Sequence, residues 1–467
     1  MSAATTPVPA GVLAGAGLPG REIAAWSALE PSARGSFPAD ARAASEFLTH
    51  GERLLGRLPA RPRRTETERA AARAIAAALD DARERFLRAH VESVYGALTA
   101  DLSRPLRDRE LVEEAAERFP GLTPTRAELA AELELELGDK AGAELAQGLF
   151  LSHVLSSPRA GSHLIHAMLR PTGEALERLD DFRATGVADL GPAHVTRRGR
   201  AGFLELRNPR HLNAEDDTTL AACECGVDLI LLDPEIEVGV LRGGPVDHPR
   251  HRDARVFGAG LNLTRLYRGR IPFLFFITRD LGYVNKIYRG LSGPEHHPGE
   301  PEESTEKLWI AAAETYAIGG ACQLLHVVDH VIAARGCRLY LPARREGIIP
   351  GASNLRLPRF VGDRLARRAI VSGLEFEAGT AAADPLCDEV VEPEAVDEAI
   401  AARVRALTSS GLVNAAANRR ALRVGQEPLD LFRRYMATFA KEQAHCHLSP
   451  ALVRNLEEHW NARERSV

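Results

Sequence analysis

An α/β core with helical regions at both ends is the fold that the sequence predicts, and three observations predict it. Apolar residues recur at helical spacing from residue 65 to 166, strand-like and helix-like segments alternate from 193 to 390, and helical spacing returns beyond Val390. At 467 residues the chain exceeds what one hydrophobic core usually organises. The expected organisation is a tail over 1–20, a helical region over 21–190, a core over 191–390 and a helical C-terminal region over 391–467.

The elements follow in order. From Met1 to Gly20 the chain is Ala-, Pro- and Gly-rich with no basic start before its apolar part, so it reads as a disordered tail and not as a signal peptide. Thr65 and Glu68 form a capping box ahead of a long helix reaching Leu102. Further helices are expected over Arg109–Arg118, Thr125–Leu137 and Lys140–His166, separated by Pro120, Gly121 and Pro124. At Ala193 the texture changes: His194–Thr196 and Gly202–Leu206, split by Arg198-Gly199-Arg200, read as a hairpin. The spacing then predicts helices over Glu215–Leu232, Ile271–Arg289, Ala321–His330 and Phe360–Ser372. Strands are predicted over Val238–Arg242, Trp309–Tyr316 and Cys337–Leu341. Pro393 and Pro428 break the helical tail.

Composition excludes several classes of function. The net charge of -5 comes from nearly balanced acids and bases, and the bases are almost all Arg, so no nucleic-acid partner is expected. Apolar runs such as Ile271–Ile277 are far too short to span a bilayer; a cytoplasmic protein with no membrane partner is the expectation. Six cysteines without a CxxC pair give neither a disulfide framework nor a zinc site. His445, Cys446 and His447 are adjacent on a helix and cannot converge on one ion, so no metal is expected.

Two glycine-containing turns between a strand and a helix carry the chemistry: Phe257-Gly258-Ala259-Gly260-Leu261-Asn262-Leu263 and Tyr316-Ala317-Ile318-Gly319-Gly320-Ala321-Cys322-Gln323. Glycine lets the backbone come close to a bound group, and a helix starting directly afterwards adds unpaired N–H groups. Either turn alone fits mere tight packing. The pair, about sixty residues apart, resembles the oxyanion-hole segments of the crotonase (enoyl-CoA hydratase/isomerase) superfamily. The Arg210-His211-Leu212-Asn213-Ala214 opening and Gly347-Ile348-Ile349-Pro350-Gly351-Ala352 add to the resemblance, which covers roughly residues 193 to 390. It implies a crotonase-like spiral of ββα units, a homo-oligomer built from trimers and a CoA thioester as substrate. The thioester oxygen would be held by the N–H groups of Leu261 and Gly320, with Ala259, Gly260, Asn262, Gly319 and Ile348 around the substrate.

At the acid/base positions the chain departs from the hydratases. The second turn ends in Gln323, where hydratases carry a catalytic Glu, and the place of their second Glu falls on Ala343. An amide and a methyl group cannot add water to an alkene, so a different reaction on a drier, less charged pocket is expected. The run GIIPGASNLRL over Gly347–Leu357, with Leu212-Asn213-Ala214-Glu215-Asp216, Leu281-Gly282-Tyr283 and Asp388-Glu389-Val390-Val391-Glu392-Pro393, resembles the branch of the superfamily that oxidises an arylacetyl-CoA with O2. That resemblance implies an arylglyoxylate and free CoA as products, without metal, flavin or haem. It places Glu215, Arg279 and Gln323 near the substrate and Leu263, Ala343 and Ile348 around O2. Leu261 and Ala321 depart from that branch, where Ile and Gly are expected, and neither removes an N–H donor. A crotonase-type hydrolase or decarboxylase, and a non-catalytic acyl-CoA-binding protein, remain open as alternatives.

Overall fold

The computed structural model describes residues 9–295, 304–409 and 412–465. The chain forms two compact units, one of Met1–Leu164, Arg268–Leu274 and Met436–Pro450, the other of Ile165–Tyr267, Phe275–Tyr435 and Ala451–Val467. The boundary expected at 190 therefore falls earlier, and the C-terminal region is not a unit of its own.

The first unit is helical. Its longest helix, Glu66–Thr99, starts at the expected capping box: the Thr65 N–H donates to the Glu68 carboxylate at 2.7 Å and the Glu68 N–H to the Thr65 hydroxyl at 3.3 Å. Phe37–Gly56 packs beside it, joining Phe47 and Leu54 to Ile75 and Leu79 in one apolar cluster. The expected tail is corrected here. Met1–Val8 lies outside the described residues, but Ala10–Gly15 is a helix whose Leu13 is buried, together with Leu18, against Trp26. Two well-spaced leucines were enough to anchor an Ala- and Gly-rich segment. The helix expected over Lys140–His166 begins at Glu144 and divides at Ser157, which is extended because the next residue is Pro158.

In the second unit twelve strands are found among the described residues: β1 (Val187–Asp189), β2 (Ala193–Arg198), β3 (Ala201–Leu206), β4 (Val238–Gly243), β5 (Leu291–Ser292), β6 (Ser304–Thr305), β7 (Leu308–Ala313), β8 (Tyr316–Ile318), β9 (His330–Ala334), β10 (Arg338–Tyr340), β11 (Phe376–Glu377) and β12 (Glu389–Val391). A large sheet runs β1-β2-β3-β4-β7-β9-β12 and a small one β11-β10-β8. The predicted hairpin is β2 and β3, paired antiparallel from Arg198 opposite Ala201 and turning at Gly199 with φ +59°. From β3 to β12 the large sheet is parallel. Its central strands β4 and β7 are almost wholly buried, as expected of strands covered on both faces. Successive turns of the chain give one strand to each sheet, β7 then β8 and β9 then β10, which is the expected ββα spiral.

Several elements differ from the expectation. The helix read through to His330 ends at Leu324, and His330 instead opens β9, whose apolar part is the short run Val331–Ala334; a short buried strand and a buried helix share that pattern. The helix read over Ile271–Arg289 is two, Leu274–Leu281 and Tyr283–Arg289, broken at Gly282. Ser353–Ser372 is helical with a kink at Gly362. Its first turns are held to the C-terminal region by an ion cluster in which buried Glu427 accepts from Arg356 at 2.9 and 3.0 Å, Arg359 at 2.7 Å and Arg289 at 3.2 Å.

Candidate active site

The two glycine turns meet edge to edge. Gly258 bonds β8, donating to Tyr316 O at 3.1 Å and accepting from the Ile318 N–H at 3.0 Å. Gly260, at φ +84°, lies so close that a Cβ there would stand 2.9 Å from Ile318 O. On its other side the turn makes a parallel bridge to Glu215, whose N–H donates to Gly260 O at 2.7 Å and whose carbonyl accepts from Asn262 N–H at 2.8 Å. In such a bridge the middle residue's own N–H points away from the partner. The Leu261 N–H thus faces the opposite way, and it donates to no described residue. The same holds for Gly320, the first residue of the helix Gly320–Leu324, after Gly319 in a conformation (φ +51°, ψ -116°) that only glycine adopts readily. Two backbone donors expected from the sequence are therefore left open to a ligand.

Beside them lies a buried network. Arg279 donates through Nε to Glu215 at 2.9 and 3.1 Å, through one Nη to Gln323 Oε1 at 2.8 Å and through the other to Gly320 O at 2.8 Å. The Tyr283 hydroxyl donates to Glu215 as well. Burial works against a charge on Arg279, but Glu215, Tyr283 and Asp280 outweigh it and hold the guanidinium more firmly protonated than usual. Burial also drives the Tyr283 pKa upward, so it stays a donor. Because Arg279 occupies the Gln323 oxygen, the amide NH2 of Gln323 is the end left for a substrate. Tyr283 is not among the expected site residues; it opens the helix after the Gly282 break, so helical spacing from Arg279 does not point to it.

These groups surround a cavity of about 30 Å³, room for about two water-sized molecules. Its wall includes Glu215, Leu261, Arg279, Gly319, Gly320, Gln323, Ala343 and Ile348, all expected from the sequence. Phe275, Phe276, Asp280 and Glu346 also line it and were not expected. Four expected residues lie off the wall. Ala259 and Gly260 shape the turn; Asn262 caps the helix Leu263–Tyr267, accepting from the Arg265 N–H at 3.2 Å, and ties to Asp216 at 3.0 Å; Leu263 enters that helix and turns away with it.

The expectation of a less charged pocket is corrected by three carboxylates, from Glu215, Asp280 and Glu346, on the wall. Burial alone pushes the Glu346 carboxyl up to about 7. Burial also raises Asp280, against the pull of Arg279, Arg356 and the Ala352 N–H. Among the described residues no group of three His, Cys, Asp or Glu side chains is placed to hold a metal ion, and all six cysteines are free. No described helix is long and apolar enough to cross a membrane.

A ββα spiral with two open backbone donors on residues of one cavity wall is the arrangement of a crotonase-type site, and the chain belongs to the enoyl-CoA hydratase/isomerase family. The sequence model of that family, described as enoyl-CoA hydratase/isomerase, matches residues 302–439. Over 406 residues the chain is 45% identical to "(3,5-dihydroxyphenyl)acetyl-CoA 1,2-dioxygenase" of Amycolatopsis orientalis, which covers 87% of this chain and 92% of that protein. It is 28% identical to "2,3-dehydroadipyl-CoA hydratase" of Escherichia coli, over 42% of this chain and 68% of the relative. Among solved structures, an enoyl-CoA hydratase from Mycobacterium avium subsp. paratuberculosis superposes with a TM-score of 0.48 at 17% identity, covering 57% of this chain and 98% of that one.

Proposed function

We propose that this chain is a dioxygenase that converts 3,5-dihydroxyphenylacetyl-CoA and O2 to 3,5-dihydroxyphenylglyoxylate and CoA, a step toward the dihydroxyphenylglycine of glycopeptide antibiotics. The observation that carries this reading is the 45% identity, along most of both chains, to a dioxygenase of that name. In this mechanism the Leu261 and Gly320 N–H groups bind the thioester oxygen as it gains charge; preorganised donors of this kind are worth about 3–4 kcal/mol each at a developing oxyanion. The enolate is conjugated with an electron-rich ring and gives an electron to O2, so the substrate stands in for a cofactor. Recombination forms a peroxide at the α-carbon, which attacks the thioester carbonyl and expels CoA.

Glu215, Arg279 and Gln323 orient the acyl group, and Ala343 and Ile348 border the space for O2. No metal, flavin or haem takes part. The enzyme acts in the cytoplasm as a trimer or a pair of trimers, without nucleic-acid or membrane partners. An oxygen electrode run alongside a free-thiol assay tests the reading. Uptake of O2 matched by CoA release supports it. Release without uptake marks a hydrolase, and binding with neither marks an acyl-CoA-binding protein.

A further inference from the structure

Enolate formation needs a group that takes the α-proton, and the three carboxylates on the cavity wall differ in whether they are free to do so. Glu215 is engaged by Arg279 and Tyr283. Asp280 accepts the Ala352 N–H and has an Arg279 Nη 3.9 Å away. The carboxylate of Glu346, only 8% exposed, makes no hydrogen bond or ion pair with any described residue. It ends the short helix Ala343–Glu346, held by its own N–H to Pro342 O at 2.9 Å and closed by Gly347 at φ +83°. Residues three apart share a helix face, so Glu346 lies one turn beyond Ala343, the position where a hydratase's second carboxylate would stand. Both line the same cavity as Leu261 and Gly320.

We propose that Glu346 is the base that accepts the α-proton of the bound thioester, an assignment that rests on the acyl-CoA reading above. The electron pair of the broken Cα–H bond becomes the enolate C=C bond, the carbonyl π pair moves to the oxygen held by the two N–H groups, and the proton joins the Glu346 carboxylate. After O2 has bonded to Cα and the peroxide has displaced CoA thiolate from the carbonyl, that thiolate takes the proton from Glu346. Loss of the second α-hydrogen as a proton, with cleavage of the O–O bond, leaves the arylglyoxylate anion. A carboxyl raised to about 7 by burial is a far better base than an exposed one, and it is still ionised in good part near neutral pH. The other charged or titratable groups around it are Glu215, Arg279 and Asp280 on the cavity wall, Tyr340 on β10, and Arg344 and Arg345 on its own turn.

The test is hydrogen–deuterium exchange at the α-carbon of phenylacetyl-CoA in D2O without oxygen, where an enolate can only be reprotonated. The wild-type enzyme is expected to catalyse exchange at a rate that rises with pH through about 7. Glu346→Gln should lose roughly 10²- to 10⁴-fold of that rate. Affinity for a non-reactive thioester analogue, read by calorimetry, should stay within about threefold. In Glu346→Ala, added formate should restore part of the exchange. Exchange at the wild-type rate in Glu346→Gln, or a wild-type rate independent of pH between about 5 and 9, overturns the assignment. The two readings fail separately: Glu346-dependent exchange without O2 uptake in air removes the dioxygenase but leaves the base.

Discussion

Replacing Ala343 by Leu tests whether the space beside the thioester is used by O2. Ala343 is 9% exposed and lines a cavity of about 30 Å³, which holds about two water-sized molecules. Leucine adds three carbon atoms to that wall and so fills the space. Overpacking of this kind typically costs about 1–3 kcal/mol. If the cost falls on the complex that contains O2, turnover should drop by about 5- to 150-fold, since 1.36 kcal/mol is tenfold in rate. On the proposed function the thioester would still dock through Leu261 and Gly320, so calorimetry with a non-reactive analogue should give a Kd within a few-fold of wild type. Oxygen-electrode rates supply the other half of the comparison. Analogue binding lost in parallel with turnover would mean that Ala343 supports the acyl site or the fold. If neither quantity moved, the oxygen space would lie elsewhere.

Four further outcomes are expected. Gln323→Glu puts a new carboxylate beside the developing enolate, and O2-dependent turnover should fall at least about tenfold at neutral pH; unchanged turnover would place Gln323 outside the reaction. Activity should survive prolonged treatment with EDTA, and loss restored by a single metal would refute cofactor independence. Glu427 is held down to about 2: burial opposes its charge, but Arg356, Arg289 and Arg359 outweigh burial. Its folded pKa is depressed, so its contribution is complete above about 4.5 and is lost as pH falls toward about 2; unfolding midpoints measured across that range should drop. Glu427→Gln, which leaves buried Arg289 and Arg356 and half-buried Arg359 without this counter-charge, should lower the free energy of unfolding by about 3–5 kcal/mol in urea titrations, and an unchanged midpoint would refute the coupling.

The sequence made the oxyanion turns readable because everything they need is local: glycines at the close approaches, a strand before and a helix after. Arg279 and Glu215 could be placed only through the motif context, since a lone acid and a lone base carry no address. What the motifs could not convey was direction. Leu263 lies two residues beyond Leu261, yet Asn262 starts a helix between them and turns that side chain off the cavity. Glu346 lies outside the two positions where hydratases carry carboxylates, and only its helical offset of three from Ala343 ties it to them. β9 was hidden because its four apolar residues, Val331–Ala334, are too few to show a period, and Gly282 by a helix pattern that continues on both sides of it. At the Ala-, Pro- and Gly-rich start, composition carries no sign of order, and the signal lies in the spacing of Leu13 and Leu18.

Glu215 has a double attachment: its backbone bridges the strand that presents Leu261, while its carboxylate grips the arginine that also holds the Gly320 carbonyl. On the proposed function, selectivity and catalysis are thereby wired to the same few atoms. A mutation at Glu215 or Arg279 that admitted a differently substituted ring would then also disturb the turns that carry both proposed oxyanion donors, so drift in substrate range through these positions would pass through poorly active intermediates. On the proposed reading, Phe275 and Phe276, which line the same cavity, are where natural divergence or directed evolution can reshape the ring pocket without replacing Glu215 or Arg279.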